Sequence, residues 1–398
     1  MYKLLRSKKR GSALPLAVLA VLLLLTMGMG LLSLGLSARI LSIRNASDIA
    51  AQCAADAGLT KALFETNQML KSQSLDDDNL PESINETLPG LEAVYSYTVT
   101  YDSDEGYTII STGISGRNSR TVYATLSFQS PFNYAIAVQE NIVLKPNSFI
   151  DGYNFSREGE KLQVATKSIL PMQIILGKGT IVDGDVAVGM GGDPESVICA
   201  PEASITGQKL AISKETDFHS VTVPQWLENL PSDGTISSPG TIAYSAKYNG
   251  INLGRGDVMT VDGPVTLYVT GDIGLMNSAQ IQINQNNPNA SLTLYIAGNI
   301  YCKNGGAINN LTENPAKLKI YGLDSCTQLS FDTSGSFYGG IYAPNAMLNL
   351  KSSVELFGSF ATRQFLQGLA SNVHYDASLK NAGASDSCVS FSIRRWRE

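Results

Sequence analysis

The chain has 398 residues, of which 16% are charged, with a formal net charge of −6, 36 glycines and 17 tyrosines. A chain of that length can bury a large core, and the acidic balance with no basic tract argues against nucleic acid as a partner. The cysteines Cys53, Cys199, Cys302, Cys326 and Cys388 are sparse and form no C-x-x-C pair, so they supply neither a disulfide framework nor a zinc ligand set.

Residues 1–11 make a basic leader containing Lys3, Arg6, Lys8, Lys9 and Arg10. No charge then occurs until Arg39. The intervening run, through Leu14, Leu16, Leu23 and Leu31, exceeds the roughly 20 apolar residues that a bilayer core requires. Secretory signal peptides have apolar cores of only about 7 to 15 residues, so the run reads as a retained transmembrane helix over 12–37. Since only Arg39 and Arg44 follow it, the positive-inside rule predicts a cytoplasmic amino terminus and a remainder in the periplasm or at the cell surface.

A helix extension follows over 38–75, with Ile43, Ala46, Ala50, Ala54, Ala57 and Ala62 at mostly three- and four-residue steps. No breaker separates the two parts, which predicts one rod of roughly 60 residues, about 90 Å long. Small residues on its stripe admit close packing, against the protein's own domain or another subunit. Residues 76–92, acidic and marked by prolines, read as a linker.

Apolar and polar residues alternate through "AVYSYTVTY", "GYTIISTG" and "SRTVYATLSF", which predicts a three-stranded antiparallel sheet over 93–129. Its first turn holds Asp102, Asp104, Glu105 and Gly106 but lacks the distal bidentate Glu of a calcium loop, and reads as a hairpin turn.

Beyond it an apolar-x-apolar, turn, apolar-x-Gly pattern recurs at fixed internal offsets. The copies are Ile142, Leu144, Ile150 and Gly152; Ile174, Leu176, Val182 and Gly184; Val197, Cys199, Ile205 and Gly207; Leu329, Phe331, Phe337 and Gly339; and Leu348, Leu350, Leu356 and Gly358. Each is a strand, a corner and a strand, with the glycine at the corner. One such coil cannot bury its inward face alone, so the pattern predicts stacked coils. A second ladder, Tyr268, Tyr295, Tyr321 and Tyr342, supports a parallel β-helix over 133–376, with an inserted loop near 214–245 and a C-terminal tail over 377–398. The expected fold class is mainly β: a long N-terminal transmembrane α-helix, a small antiparallel sheet and a parallel β-solenoid.

The chemistry-bearing residues are few. Asp151, Asp183 and Asp185 sit beside solenoid turns, where β-helical polysaccharide enzymes keep carboxylates, but two of the three simply precede a corner glycine, a common turn pair. His219 and His374 belong to no Ser or Cys nucleophile motif, and neither G-x-S-x-G nor H-E-x-x-H occurs. "GKGTIVDGD" lies inside a repeat rather than between a strand and a helix, and the RGD at 255–257 is three common residues in a Gly-rich loop. The sequence therefore predicts no catalytic residue, no cofactor and no metal. Cys302 and Cys326 fall 24 residues apart, near one solenoid turn, and read as neighbouring, buried, unbonded thiols.

A basic leader ending in "KKRG", followed by Ser12 and an unbroken apolar helix, resembles the amino terminus of type IV pilins and pseudopilins. "AAQCAADAGLTKAL" is similar to the Ala-rich segment of the longer, minor members of that family. The resemblance implies cleavage by prepilin peptidase between Gly11 and Ser12, methylation of the new amino terminus and a helix that packs against other pilin-like subunits. It also implies partners in the assembly machinery of a type IV pilus or a type II secretion-like system. Pilins usually carry Glu as the fifth mature residue, whereas Leu16 stands at that place, which suits a minor or terminal subunit. Residues 337–379, with "IYAPNA" and "HYD", resemble the C-terminal solenoid of uncharacterised bacterial pilus-assembly-like proteins, similar in its coils to bactofilins, and imply structural roles for His374 and Asp376. The expectation is a non-enzymatic, membrane-anchored pilin-like protein displaying a β-helix head. Its rivals are an envelope-tethered polysaccharide-active enzyme, which needs a groove lined by carboxylates and basic residues, and a membrane-tethered scaffold outside any filament.

Overall fold

The computed structural model describes residues 13–71, 75–76, 79–90, 92–102, 106–154, 162–213, 218–380 and 388–397. Gly11, Ser12, the basic leader and the turn residues Asp104 and Glu105 lie outside the described residues. The chain is mainly β, with a long N-terminal helix, a small antiparallel sheet and stacked parallel strands, and it divides into two compact units.

The first unit holds most of the 59-residue helix α1 (Ala13–Lys71) and the small sheet. Its N-terminal half is exposed on every side, whereas Ala51, Ala54, Ala55, Leu59 and Ala62 are buried. The buried stripe is rotated from the one read in sequence, since Ile43 is 60% exposed and Ala51 is fully covered. Gly113 explains this: a Cβ there would lie 2.1 Å from the Ala51 carbonyl oxygen, so the bare sheet backbone sets which helix line approaches. Beside it, Ser111 Oγ donates to the Ala55 carbonyl at 2.7 Å.

The sheet has five strands, not three. β2 (Ala93–Asp102), β3 (Gly106–Ser115) and β4 (Asn118–Gln129) form the expected antiparallel meander. To these are added β1 (Glu82–Thr87), from the stretch read as a linker, and Ser390–Arg397, from the stretch read as a tail. β1 has the sequence ESINET and is largely exposed, so it carries no apolar alternation; its backbone ladder to β2 makes it a strand. Glu86 adds side-chain bonds, accepting from Lys61 Nζ at 2.5 Å and from Tyr95 Oη at 2.7 Å.

In the second unit, successive strands run round a coil and stack in parallel with the coils on either side. Val258–Val261 pairs with Gln280–Ile283, Pro264–Val269 with Ser291–Ile296, and Ile273–Met276 with Ile300–Lys303. Alternation sends one set of side chains inward as continuous rows. The last two repeats stack as read, Leu329 on Leu348, Phe331 on Leu350, Phe337 on Leu356 and Gly339 on Gly358. Gly358 has φ +147°, and a Cβ there would lie 1.9 Å from the Gly339 carbonyl oxygen, so this corner accepts only glycine. Gly184 and Gly207 stack at another corner, where Gly207 N–H donates to the Gly184 carbonyl at 3.1 Å, and Gly152 is the register partner of Tyr375.

The third repeat is displaced by one residue in its first strand. Ile198, not Val197, stacks on Ile174, and Cys199 stacks on Ile175 and faces outward. A short helix, Pro194–Val197, capped by the Asp193 carboxylate, takes up the extra residue and buries Val197 by its own route.

The coils do not stack in chain order. Phe360, Phe365 and Val373 pair with Ile136, Ile142 and Ile150, so the last coils of the chain lie against the first. The segment 235–376 forms one part of the stack, and 136–211 continues it beyond residue 376. Thr235–Ile236 therefore stands at one end and Lys209–Ala211 at the other. The intervening segment must return along the whole stack, about 43 Å at roughly 4.8 Å per coil.

It does so over one outward row in which each residue is the register partner of the next: Lys247, Tyr268, Tyr295, Tyr321, Tyr342, Ala361, Ala137, Ala165, Ala187 and Leu210. Ile212 packs on Ala165 and Ala187, and Phe218, Val221, Val223 and Leu227 pack in one cluster with the tyrosines, Ala137 and Ala361. Tyr342 Oη donates to the His219 carbonyl at 2.8 Å, and Lys247 Nζ to the Glu228 carbonyl at 2.8 Å. Residues 218–234 of the loop expected near 214–245 thus form a strap, and it ends earlier than expected, because Thr235–Ile236 and Gly240–Ile242 are already solenoid strands.

Candidate functional site

Two surfaces stand apart from the packing that holds the fold together. The first is the N-terminal half of α1, where Leu14 is 77% exposed and Leu16, Leu23 and Leu31 are exposed as well. This helix is long and apolar enough to cross a membrane. Apolar side chains spread round every side of a helix meet no favourable partner in water.

The second is an outward row on the solenoid face built from Gly335–Leu350, Val354–Gln367, Asn372–Asp376 and Phe149–Tyr153. In register, Tyr338 is followed by Phe357, His374 and Asp151. Tyr338 stacks on Phe357 at 4.4 Å between centroids and Phe357 on His374 at 4.6 Å, with interplanar angles of 12° and 24°. Tyr153 meets Phe357 edge-on at 5.0 Å.

His374 is held at both nitrogens, Nδ1 at 2.5 Å from Asp151 Oδ1 and Nε2 at 2.8 Å from Glu355 Oε2. Glu355 Oε1 accepts from Asn372 Nδ2 at 2.9 Å. The imidazole thus clasps the last coils to the first, because Asp151 belongs to the opening coil of the solenoid and His374 to the closing one.

Beside Tyr338 the wall of the solenoid opens. Ala307–Asn310 ends a four-stranded sheet and makes no ladder with Gly335–Gly339, which belongs to the larger sheet. The gap leads into a cleft of about 330 Å³ whose floor is core: Ile308, Phe331, Phe337, Leu350 and Leu356. Its rim carries Gln280, Asn309, Ser336, Tyr338 and Glu313. Asn310 spans the gap, its Nδ2 donating to the Tyr338 carbonyl at 3.1 Å and to the Asn314 carbonyl at 2.8 Å. Glu313 stands in the left-handed backbone region at φ 54°, a strained place that the Asn310 turn imposes. Burial, and then the neighbouring Glu313 charge, hold the Tyr338 hydroxyl above its ordinary pKa.

The acids singled out in sequence do not converge. Asp151 joins His374, Asp183 accepts from Thr206 Oγ1 at 2.9 Å, and Asp185 is buried and caps the Gln208 N–H at 2.8 Å. Asp376 is buried as well, with Ser378 N–H on Oδ1. Glu313 is the one carboxylate among the described residues that line the cleft, and they include no Lys, Arg or His. Among the described residues no group of three or more His, Cys, Asp or Glu side chains is placed to hold a metal. Cys302 and Cys326 are buried free thiols; Cys302 stacks on Phe331, not on Cys326. The cleft has no sequence motif, since a missing ladder between two strands leaves no mark on either.

The class that this fold defines is a β-solenoid protein carrying a long N-terminal apolar helix. Residues 202–382 match the family described as a domain of unknown function, DUF7305. No curated protein matches the chain. Among solved structures, the competence-associated pilin ComZ from Thermus thermophilus is 12% identical, with 88% of this chain and 97% of that chain covered at a TM-score of 0.22. An ice binding protein from an Antarctic bacterium, Flavobacteriaceae, is 10% identical, with 60% and 79% covered at a TM-score of 0.18. Neither likeness is close enough to carry an argument about fold or function.

Proposed function

We propose that this chain is a membrane-anchored, pilin-like structural protein that displays a non-enzymatic β-helix head outside the cytoplasm. The observation that carries the reading is the division of α1: residues such as Leu16, Leu23 and Leu31 are exposed, while Ala51, Ala55 and Ala62 are buried on the chain's own sheet. One helix thus serves two environments, a bilayer or neighbouring apolar helices along its first half and a soluble domain along its second. The basic residues before Gly11 support a cytoplasmic amino terminus.

In this reading prepilin peptidase cuts between Gly11 and Ser12 and methylates the new terminus, and the helix joins other pilin-like subunits of a type IV pilus or type II secretion-like system. Leu16 in place of Glu fits a minor or terminal subunit, which has no neighbouring amino terminus to pair. The reading takes the head as non-enzymatic, and the acids Asp151, Asp183 and Asp185 each hold a separate bond within the solenoid.

Mass spectrometry of the mature amino terminus tests the reading. In cells with active prepilin peptidase the protein should begin at methylated Ser12, and Gly11→Ala should leave the longer precursor. Wild-type protein that retains residues before Gly11 in such cells overturns the pilin-like assignment and leaves a tethered scaffold.

A further inference from the structure

We infer that the cleft beside Tyr338 is a binding site for a small, uncharged aromatic molecule carrying one hydrogen-bond donor. The outward rings form a stack that stops short. His374, Phe357 and Tyr338 follow one another at 4.6 and 4.4 Å, and Tyr338 is the last ring of the row. Phe357 covers it from the Val354–Gln367 side, and its other side borders the cleft, where the next strand, Ala307–Asn310, makes no ladder with it. A flat ring lying there continues the row, in the offset stacking that aromatic pairs favour.

The cleft sets the remaining character of the ligand. Its floor of Ile308, Phe331, Phe337, Leu350 and Leu356 rewards an apolar body, and the polar side chains Gln280, Asn309, Ser336 and Glu313 stand at its rim. With no Lys, Arg or His among the described lining residues, an anion finds no counter-charge. Glu313 at the rim accepts a hydrogen bond and donates none when ionised, so the matching substituent is a hydroxyl or N–H. A volume of about 330 Å³ is ample for a ring with a substituent, since an apolar cavity of about 150 Å³ already takes up benzene.

The site is formed by the fold and not by side-chain accident. Asn310, only 1% exposed, has its whole carboxamide engaged: Nδ2 bonds the Tyr338 carbonyl across the gap and the Asn314 carbonyl, and Oδ1 accepts from the Thr312 N–H and Oγ1 within its own turn. That clamp fixes the distance between the two unpaired strands and leaves Tyr338 at the mouth.

The test uses the full chain in detergent micelles and 4-fluorophenol as probe, followed by fluorine NMR. Partition of the probe into micelles is non-saturable and the same for every variant; binding in the cleft is saturable. The wild type should show a saturable shift. Tyr338→Ala, which removes the platform, and Ser334→Trp, which leaves Tyr338 in place and fills the mouth from the rim, should each weaken it at least tenfold with an unchanged circular dichroism spectrum. 4-Fluorobenzoate should bind at least tenfold more weakly than the phenol. Absence of a saturable shift in the wild type, equal binding by Ser334→Trp, or displacement of the phenol by methyl glucoside would each overturn the assignment.

Discussion

Phe360, from the closing coils of the solenoid, is the register partner of Ile136, from its opening coil. Both side chains are fully buried, so the two ends of the solenoid sequence share one continuous core. The stack therefore has its sequence termini in the middle and its free ends at Thr235–Ile236 and Lys209–Ala211.

This order can be tested by cross-linking. Val143 and Leu366 are register partners on an outward, half-exposed row. Adjacent strands bring such Cα atoms to about 4.8 Å, within the range a disulfide bridges. The Val143→Cys, Leu366→Cys double variant should oxidise quantitatively, and a non-reducing peptide map should contain the linked pair. If the coils stacked in chain order, those positions would be far apart and no link would form.

Gly113→Ala should destabilise the first unit by about 1–3 kcal/mol through overpacking. The added methyl would meet the Ala51 carbonyl oxygen at 2.1 Å and the Ala55 nitrogen at 2.4 Å, both backbone atoms that cannot rotate away. Chemical denaturation monitored on the helix signal should show the loss, and an unchanged midpoint would mean the helix line lies elsewhere.

The Glu86 carboxyl is held down to about 2 from its ordinary 4.5, first by the Lys61 ammonium and then by the Tyr95 hydroxyl. A carboxylate with a depressed native pKa stabilises the fold above its unfolded pKa, and that contribution fades as pH falls from about 5 toward 2. The melting-temperature difference between wild type and Glu86→Gln should therefore shrink over that window. A difference that stays constant down to pH 2 would show that Glu86 makes no stabilising pair with Lys61 and Tyr95.

Burial pushes the Cys302 and Cys326 thiols up to about 12 from an ordinary 9.0. With native pKa values raised, both favour the folded state below pH 9, and that contribution is lost as pH rises from about 9 toward 12. At pH 8.5 iodoacetamide should label exposed Cys53 in the native protein and reach Cys302 and Cys326 only after unfolding. A peptide map showing Cys302 joined to Cys326 would contradict the observed register.

Leu23→Arg places a charge near the middle of the apolar half of α1, at a cost of about 2.5–3.5 kcal/mol in a membrane helix. Membrane fractionation should show the variant released or degraded. Unchanged membrane association would argue that this half of the helix does not span.

The sequence by itself determined the elements whose signal is local. An uncharged apolar run announces the helix, a two-residue alternation marks β2, β3 and β4, and the apolar-x-apolar repeat with its glycines marks coils near both ends of the solenoid sequence, because these patterns follow from the period of one strand or helix. β1 escaped because its ladder uses backbone groups that every residue carries, and ESINET has no buried face. Tertiary structure alone decided the order of the coils. Any coil presents similar apolar rows and open backbone edges above and below, so the repeat does not state which coil is its neighbour. The choice rests on a strap that must cover the row from Leu210 back to Lys247, and on a ring, His374, that meets Asp151 only when the last coils close on the first. The cleft has the same origin: it exists where Ala307–Asn310 and Gly335–Gly339 fail to pair, a relation between two strands that neither encodes alone.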